Sequence, residues 1–274
     1  MKKFRRRSAR MNLMHYRVLV ARYFRQIFSS LGTLLPLVLQ APVMLVIVWL
    51  VSQKDAFTLK SPDALTGANV TLFMLVIMSA LMGILNSYRE ICKERDILSR
   101  EVFGGLDITA YVLSKVTVLS VVGIVQCAVL FGGTLIFIDF AFPSPATGYV
   151  CCYAAMALTN ISVMTVGLFI SALLKKSESA ILPVLFIIIV QVVFCDSLFS
   201  LEGAAGWVRY VTPSAWAIAV MSHECALNDW APQIFQKPMF DLNPLIGLAV
   251  LAAIALAFML LTILRLKRVY RQKD

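Results

Sequence analysis

Charged side chains are concentrated in one short stretch of this sequence, KERDILSREVFGGLDITAYVLSK, which covers residues 93–115. Six of its first nine residues are charged, although 60% of the 274 residues are hydrophobic. Asp96 and Arg100 are four residues apart with the acid first, which stabilises a helix. A Gly-Gly pair then ends this helix, and Asp107 or Thr109 can cap the next one. The pattern predicts a short charged helix followed by an apolar one.

Residue patterns for enzyme chemistry are missing from the sequence. His223-Glu224 begins an HExxH pattern, but position 227 is leucine, so the second zinc ligand is absent. The sequence contains neither G-x-S-x-G nor the phosphate-binding G-x-x-x-x-G-K-[ST]. The six cysteines do not follow the spacing of metal ligands. We therefore expect no catalytic residues, no metal site and no cofactor on this chain, and a membrane-embedded enzyme is disfavoured.

The apolar residues form long runs, and the mean hydropathy of the chain is +0.83. A helix needs about 20 apolar residues to cross a bilayer. These runs are too long and continuous for the strands of a barrel, so helices are expected. We predict an all-α integral membrane protein with six transmembrane helices. The six predicted spans are residues 31–52, 70–87, 108–138, 148–174, 179–200 and 244–264.

The distribution of positive charge predicts the orientation of these spans. Only four of the 25 lysine and arginine residues, Lys54, Lys60, Arg209 and Lys237, lie in the first, third and fifth loops. Since positive residues remain cytoplasmic, both termini are expected inside, in the plasma (inner) membrane. The net charge of +10 is then an orientation signal, and a nucleic-acid partner is not expected. Cys195 and Cys225 both lie near the outer face, where a disulfide and two free thiols remain alternatives.

Two further segments are predicted to contact the membrane without crossing it. Residues 1–28 read as a basic tail followed by an amphipathic helix on the cytoplasmic surface, in contact with lipid. Residues 29–274 then form a single transmembrane domain. Within it, the stretch from Ala204 to Val220 is too apolar for a free loop and too interrupted for a span. We predict a re-entrant outer segment there, before the last span.

Two motifs in this order resemble the membrane half of ABC-2 type ABC transporters, most closely the ABCG-like type V exporter fold. The first is Glu94-x6-Glu101 followed by Gly105-x5-Tyr111-x3-Lys115, which is similar to the coupling-helix region of that family. The second runs from Pro183 through Ala205-Gly206-Trp207-x2-Tyr210-x2-Pro213-x3-Ala217, similar to the end of its fifth span and its re-entrant helix. Thr212 stands where that family often has serine. The resemblance covers residues 10–268.

The resemblance implies roles for particular residues. It places the coupling contacts to the ATPase on Glu94, Arg95, Arg100 and Glu101. It places the substrate cavity at Ser79, Met82, Gln191 and Val192, and the outer gate at Leu198 and Phe199. It also implies a separate ABC ATPase subunit that carries ATP and Mg, and a second permease chain, with a homodimer favoured over a heterodimer.

The resemblance implies a permease subunit of an ATP-driven exporter. An expected cavity with methionine and without charged residues favours a hydrophobic or amphipathic substrate. Two alternatives remain open. One is an ABC-2 exporter of glycans or lipid-linked polysaccharides, and the other is a membrane scaffold that holds an ATPase and transports nothing.

Overall fold

The computed structural model describes residues 13–54, 56–58, 62–176, 178–195, 197, 205–230 and 237–271. The helices in chain order are α1 (Leu13–Ser29), α2 (Leu31–Val51), α3 (Pro62–Ser87), α4 (Arg95–Phe103), α5 (Ile108–Thr134), α6 (Pro145–Leu173), α7 (Ile181–Val193), α8 (Ala205–Val208), α9 (Pro213–Glu224), α10 (Leu227–Trp230) and α11 (Pro244–Arg271). No β-strand occurs among these described residues. The prediction of an all-α protein is therefore confirmed.

Five of the described helices, α2, α3, α5, α6 and α11, are long and apolar enough to cross a membrane. Two of them, α3 and α11, extend seven or more residues beyond a predicted end, because a helix can continue where the bilayer ends. The helix predicted from Val70 begins at Pro62, and the last helix continues seven residues beyond Leu264 to Arg271. Lysine and arginine, which are frequent in this last extension, are good helix formers.

The predicted fifth span, residues 179–200, differs most from the structure. Its helix α7 has 13 residues, which corresponds to about 20 Å of helix. A hydrocarbon core is about 30 Å thick, so α7 alone does not span it. Residues 198–200 lie outside the described part of the chain. A crossing by six spans therefore stays a prediction.

Helix α6 lies at the centre of the bundle and packs along α3 and α11. Small residues allow the close approach of α3 to α6. A Cβ atom on Gly83 would lie 2.3 Å from the backbone oxygen of Asn160, and one on Gly167 would lie 2.1 Å from Ser87 Oγ. Asn160 Nδ2 donates to the carbonyl oxygen of Ser79 at 3.0 Å. The α3–α6 contact therefore combines tight packing with a buried hydrogen bond.

Helix α2 packs loosely, since only Ala41 and Val48 are buried among its residues. Its two prolines, Pro36 and Pro42, interrupt the backbone hydrogen bonds of the helix. Gln126 Nε2 on α5 donates to the carbonyl oxygen of Leu37 at 2.7 Å, close to these prolines. One polar side chain thus connects the irregular part of α2 to the bundle.

Helix α9, within the predicted re-entrant segment, lies in the core of the bundle, and a re-entrant position in the membrane stays a prediction. Ten consecutive residues of α9, from Pro213 to Ser222, are buried, and α9 contacts α3, α6, α7 and α11. Gln191 Oε1 on α7 accepts from the backbone N–H of Ser214 at 3.1 Å and also from the Ser214 hydroxyl. An amide side chain from α7 therefore satisfies a free donor at the first turn of α9.

Gly83→Ala should destabilise the protein, because a methyl group there collides with the backbone of α6 rather than with a flexible side chain. The control is Gly132→Ala on α5, where no atom lies within 4 Å of the added Cβ. In a helix, glycine is less favourable than alanine by about 1 kcal/mol, so the control should be neutral or stabilising. Thermal unfolding in detergent measures both, and equal midpoints would contradict the close contact at Gly83.

Candidate functional site

The charged segment forms the helix and turn that its sequence predicts. Helix α4 follows a 3₁₀ turn, Cys92–Glu94, and ends at Phe103. Gly105 adopts a φ of +98°, a conformation that glycine tolerates and other residues rarely adopt. Asp107 then accepts a hydrogen bond from the backbone N–H of Thr109 at 3.0 Å and caps α5. Between Asp107 and Thr109, the sequence-based alternatives for the cap, the structure selects Asp107.

A buried ion cluster connects this segment to α5. We call Glu90, Lys93, Glu94 and Lys115 the base cluster. The Lys115 ammonium lies 2.7 Å from Glu94 Oε1 and 3.1 Å from Glu90 Oε2, and the side chain of Lys115 is only 3% exposed. Lys93 pairs with the other oxygen of Glu90. Two positive groups thus balance two negative ones, and three of these four side chains are largely buried.

Two tyrosine hydroxyl groups donate hydrogen bonds to the carboxylates of the base cluster. Tyr23 on α1 donates its hydroxyl to Glu90 Oε2, and its ring lies 3.6 Å from the Lys115 ammonium. Tyr111 on α5 donates to Glu94 Oε2 at 2.9 Å. Burial, and then the neighbouring Glu90 carboxylate, raise the pKa of the Tyr23 phenol well above its usual value. Tyr23 therefore stays protonated and remains a donor to Glu90.

The ends of α6 and α11 close the same region. Ser171 Oγ accepts hydrogen bonds from the backbone N–H groups of Ile91 and Cys92, both at 3.0 Å. The Tyr270 hydroxyl donates to the carbonyl oxygen of Arg95 at 3.5 Å. An apolar cluster that includes Leu98, Tyr111 and Tyr270 fills the space between these helices. The polar base, meaning α1, α4, the first turns of α5 and the last turns of α6 and α11, is therefore a packed unit.

Three of the four residues predicted to contact an ATPase have partners within the chain. Glu94 bonds to Lys115 and Tyr111. Arg95 donates to the carbonyl oxygen of Leu174, and Glu101 pairs with Arg22 on α1 at 2.5 and 3.1 Å. Arg100 differs, because its side chain is exposed and has no ion-pair partner among the described residues. The sequence predicted the charged helix but not the partners of these side chains, and their contact with an ATPase stays a prediction.

The outward face of α4 consists instead of four exposed residues: Asp96, Ile97, Arg100 and Phe103. Ile97 is 57% exposed and Phe103 is 66% exposed. Leu98 and Val102, on the opposite side, are buried against the polar base. Large apolar side chains on the outer face of a charged helix are typical of a surface that binds another protein. Ile97 and Phe103 were missed because an apolar residue in a short amphipathic helix suggests a buried position.

The predicted cavity residues on α3 lie inside the bundle. Ser79 and Met82 are fully buried, and Ser79 Oγ donates to the carbonyl oxygen of Met156 on α6 at 2.7 Å. The accessible side of α3 is an apolar stripe that lies away from Ser79: Val70, Met74, Leu81 and Leu85. In this conformation, Ser79 and Met82 therefore do not face open space. The spacing of Ser79, Gly83 and Ser87 is the signal that marks the packed side.

The remaining predicted cavity residues lie on α7, and the predicted gate lies beyond it in the sequence. Gln191 is buried and holds α9 through Ser214, whereas Val192 is half-buried beside the main core. Gln191 also lines a small apolar gap between α3, α6 and α7. The gate residues Leu198 and Phe199 lie outside the described residues, so the gate stays a prediction. Cys195 and Cys225 are both buried, and the structure does not join them by a disulfide.

Long apolar helices around a polar base define a multi-pass membrane protein. The model of the ABC-2 type transporter family matches residues 14–223. The chain therefore belongs to the ABC-2 type transporter family, whose members are transmembrane permease components. The match includes the base cluster and ends within the last residues of α9.

A similarity to a second ABC transporter protein is consistent with this family assignment. The chain is similar to the ABC transporter ATP-binding/permease protein Rv1747 of Mycobacterium tuberculosis, with 28% identity over 167 residues. The aligned region covers 57% of this chain and 19% of the relative. The chain thus spans a small part of the length of that protein, whose name combines an ATP-binding and a permease function.

Lys115→Met should strongly destabilise the fold, because Glu90 and Glu94 lose the cation that lies between them. Removing one partner of a buried ion pair costs about 3–5 kcal/mol. Lys93→Met is the matched control, since the Lys93 side chain is 35% exposed and pairs with one carboxylate, Glu90, among the described residues. Thermal unfolding in detergent should show a much larger loss for Lys115→Met, with partial recovery in Lys115→Met/Glu94→Gln. Equal losses for the two single variants would contradict a central role of Lys115.

Glu101→Arg should leave the fold intact, since exposed ion pairs contribute about 0–1 kcal/mol. It places a second arginine beside Arg22, and the repulsion should loosen the contact between α1 and α4. The reversed pair Arg22→Glu/Glu101→Arg restores the attraction. Hydrogen exchange of α4 should increase in the single variant and return to the wild-type rate in the double variant. An unchanged exchange rate in Glu101→Arg would show that this pair does not hold α4.

Proposed function

We propose that this chain is the permease subunit of an ATP-driven exporter and that α4 is the helix that docks on its ATPase. The observation that carries the proposal is the structure of α4. Its outer face exposes Ile97, Arg100 and Phe103, while its inner face is fixed by Leu98 and the base cluster. A rigid helix with an apolar and charged outer face can transfer a force from a bound partner to the helices behind it.

The proposed partner is a separate ATPase subunit that binds ATP and Mg. The present sequence has no G-x-x-x-x-G-K-[ST] motif, so these 274 residues lack that phosphate-binding loop. The Mycobacterium tuberculosis relative, named as an ATP-binding/permease protein, supports a functional link between the two activities. In our proposal, ATP binding by the partner favours one conformation of the spans and hydrolysis releases it.

The proposed substrate is hydrophobic or amphipathic. The accessible stripe of α3, which includes Met74, Leu81 and Leu85, is apolar. The outer side of α7 is also apolar, with Leu182, Phe186 and Ile189 exposed. We propose that these two faces meet their equivalents on a second copy of the chain and form the substrate path. Both termini are proposed to lie in the cytoplasm, according to the distribution of lysine and arginine.

A purification of the tagged chain from its native membrane in mild detergent tests the proposal. We expect a stoichiometric ATPase and a second copy of the chain, and an ATPase rate in vesicles that rises with amphipathic substrates. A stoichiometric ATPase without any transport in vesicles would favour the scaffold alternative. Transport of glycans alone would favour the polysaccharide exporter, and repeated recovery of the intact chain by itself would exclude the coupled exporter.

Arg100→Glu/Phe103→Glu should reduce the ATPase recovered with the chain by about tenfold or more, because both residues lie on the proposed docking face. The fold should be preserved, since both side chains are exposed. Lys54→Glu is the control for charge reversal, at an exposed position in the first loop. Quantitative mass spectrometry of the purified complex measures the ratio. If the double variant retained as much ATPase as the wild type, α4 would not be the docking helix.

A further inference from the structure

The surface of helix α1 can be divided into three sides, and two of them contact other helices of the same chain. Leu19, Tyr23 and Ile27 are buried on the side that packs against α5. Arg22 lies on the second side, where it pairs with Glu101 of α4. The third side remains exposed. A helix held on two sides presents the third in a fixed orientation.

The third side of α1 has a large apolar part. Leu13 is 62% exposed, Phe24 is 42% exposed and Phe28 is 54% exposed. The rings of Phe24 and Phe28 stack with centroids 4.7 Å apart. The exposed apolar surface continues into α2, where Leu31 and Leu35 are 79% and 59% exposed. Since α2 is long and apolar enough to span a membrane, this continuity places the apolar part of α1 beside acyl chains.

Two arginines border this apolar part. Arg17, Ala21 and Arg25 follow one another at intervals of four residues and therefore form a line along the helix. Both arginine side chains are exposed, and neither has a hydrogen-bond or ion-pair partner among the described residues. A shallow groove, widely open to its surroundings, lies along this side and is lined by Tyr16, Arg17, Val20, Ala21, Phe24 and Arg25.

We propose that this groove binds an anionic phospholipid, with its phosphate at Arg17 and Arg25 and its acyl chains against Phe24 and Phe28. The small side chain of Ala21 leaves space between arginines that are two turns, about 12 Å, apart. Arginine extends its charge to the headgroup region while its stem covers apolar surface. The site deepens the proposed function, since it rests on α1 lying at the membrane surface.

The bound lipid has a route to the docking helix. Tyr23 connects α1 to Glu90, which precedes α4, and Arg22 connects α1 to Glu101 within α4. A lipid that fixes the third side of α1 therefore also fixes the position of α4. The anionic lipid content of the membrane then regulates how firmly α4 is held.

The test uses the purified full chain, without an ATPase, in nanodiscs of phosphatidylcholine with or without phosphatidylglycerol. The variant is Arg17→Gln/Arg25→Gln, and the matched control is Lys267→Gln/Arg268→Gln, which removes two exposed positive charges from α11. Native mass spectrometry counts the lipid that is retained, and thermal unfolding measures stability. We expect wild type and the control to retain phosphatidylglycerol over phosphatidylcholine, and the arginine variant to lose this preference by about tenfold or more.

Three results would overturn the proposal. Equal retention of phosphatidylglycerol by the arginine variant would show that the lipid binds elsewhere. An equal loss of phosphatidylglycerol in the α11 control would show that the total charge attracts the lipid, rather than a site on α1. Displacement of the lipid by inorganic phosphate alone would show that the arginines bind a free anion. Because no ATPase is present, each of these results leaves the docking role of α4 unaffected. Loss of the ATPase by the arginine variant, in the purification above, would assign this side of α1 to that partner.

Discussion

The burial of Lys115 is the constraint on which the polar base depends. An ammonium group in an apolar protein interior is stable only when opposite charges and hydrogen-bond acceptors surround it. Glu90 and Glu94 supply these, and they can do so only if the chain turns sharply after α3. Tyr23 and Tyr111 then bring α1 and α5 to the same point. The position of α4 follows from these contacts.

Local patterns were sufficient to predict the helices near this site, since their ends depend on neighbouring residues. The Gly-Gly turn, the Asp107 cap and the amphipathic character of α1 belong to this class. The partners of charged residues depend on distant contacts. Tyr23 and Glu90 are 67 residues apart in the sequence, and no spacing rule connects them. The partners of Glu94, Arg95 and Glu101 within the chain were therefore not predictable from the segment alone.

The cavity prediction had a different weakness, because apolar spans show little difference between their faces. On α3, the informative signal was residue size and not polarity. Ser79, Gly83 and Ser87 repeat every four residues, and this repeat marks the side that contacts α6. The resemblance placed Ser79 in the cavity, and in this structure its hydroxyl donates to a backbone carbonyl on α6. Among the larger residues between these positions, Leu81 and Leu85 belong to the accessible stripe, whereas Met82 is fully buried.

Helix α11 adds a mechanical property to this arrangement. It continues without a break for 28 residues, or about 42 Å. It contacts α9 near one end of the bundle, and at the other end its Tyr270 reaches the backbone of Arg95 at the start of α4. A continuous helix resists compression along its axis, so α11 holds α9 and the polar base at a fixed separation. The backbone of this one helix sets that separation, without any relay of side chains between the two ends.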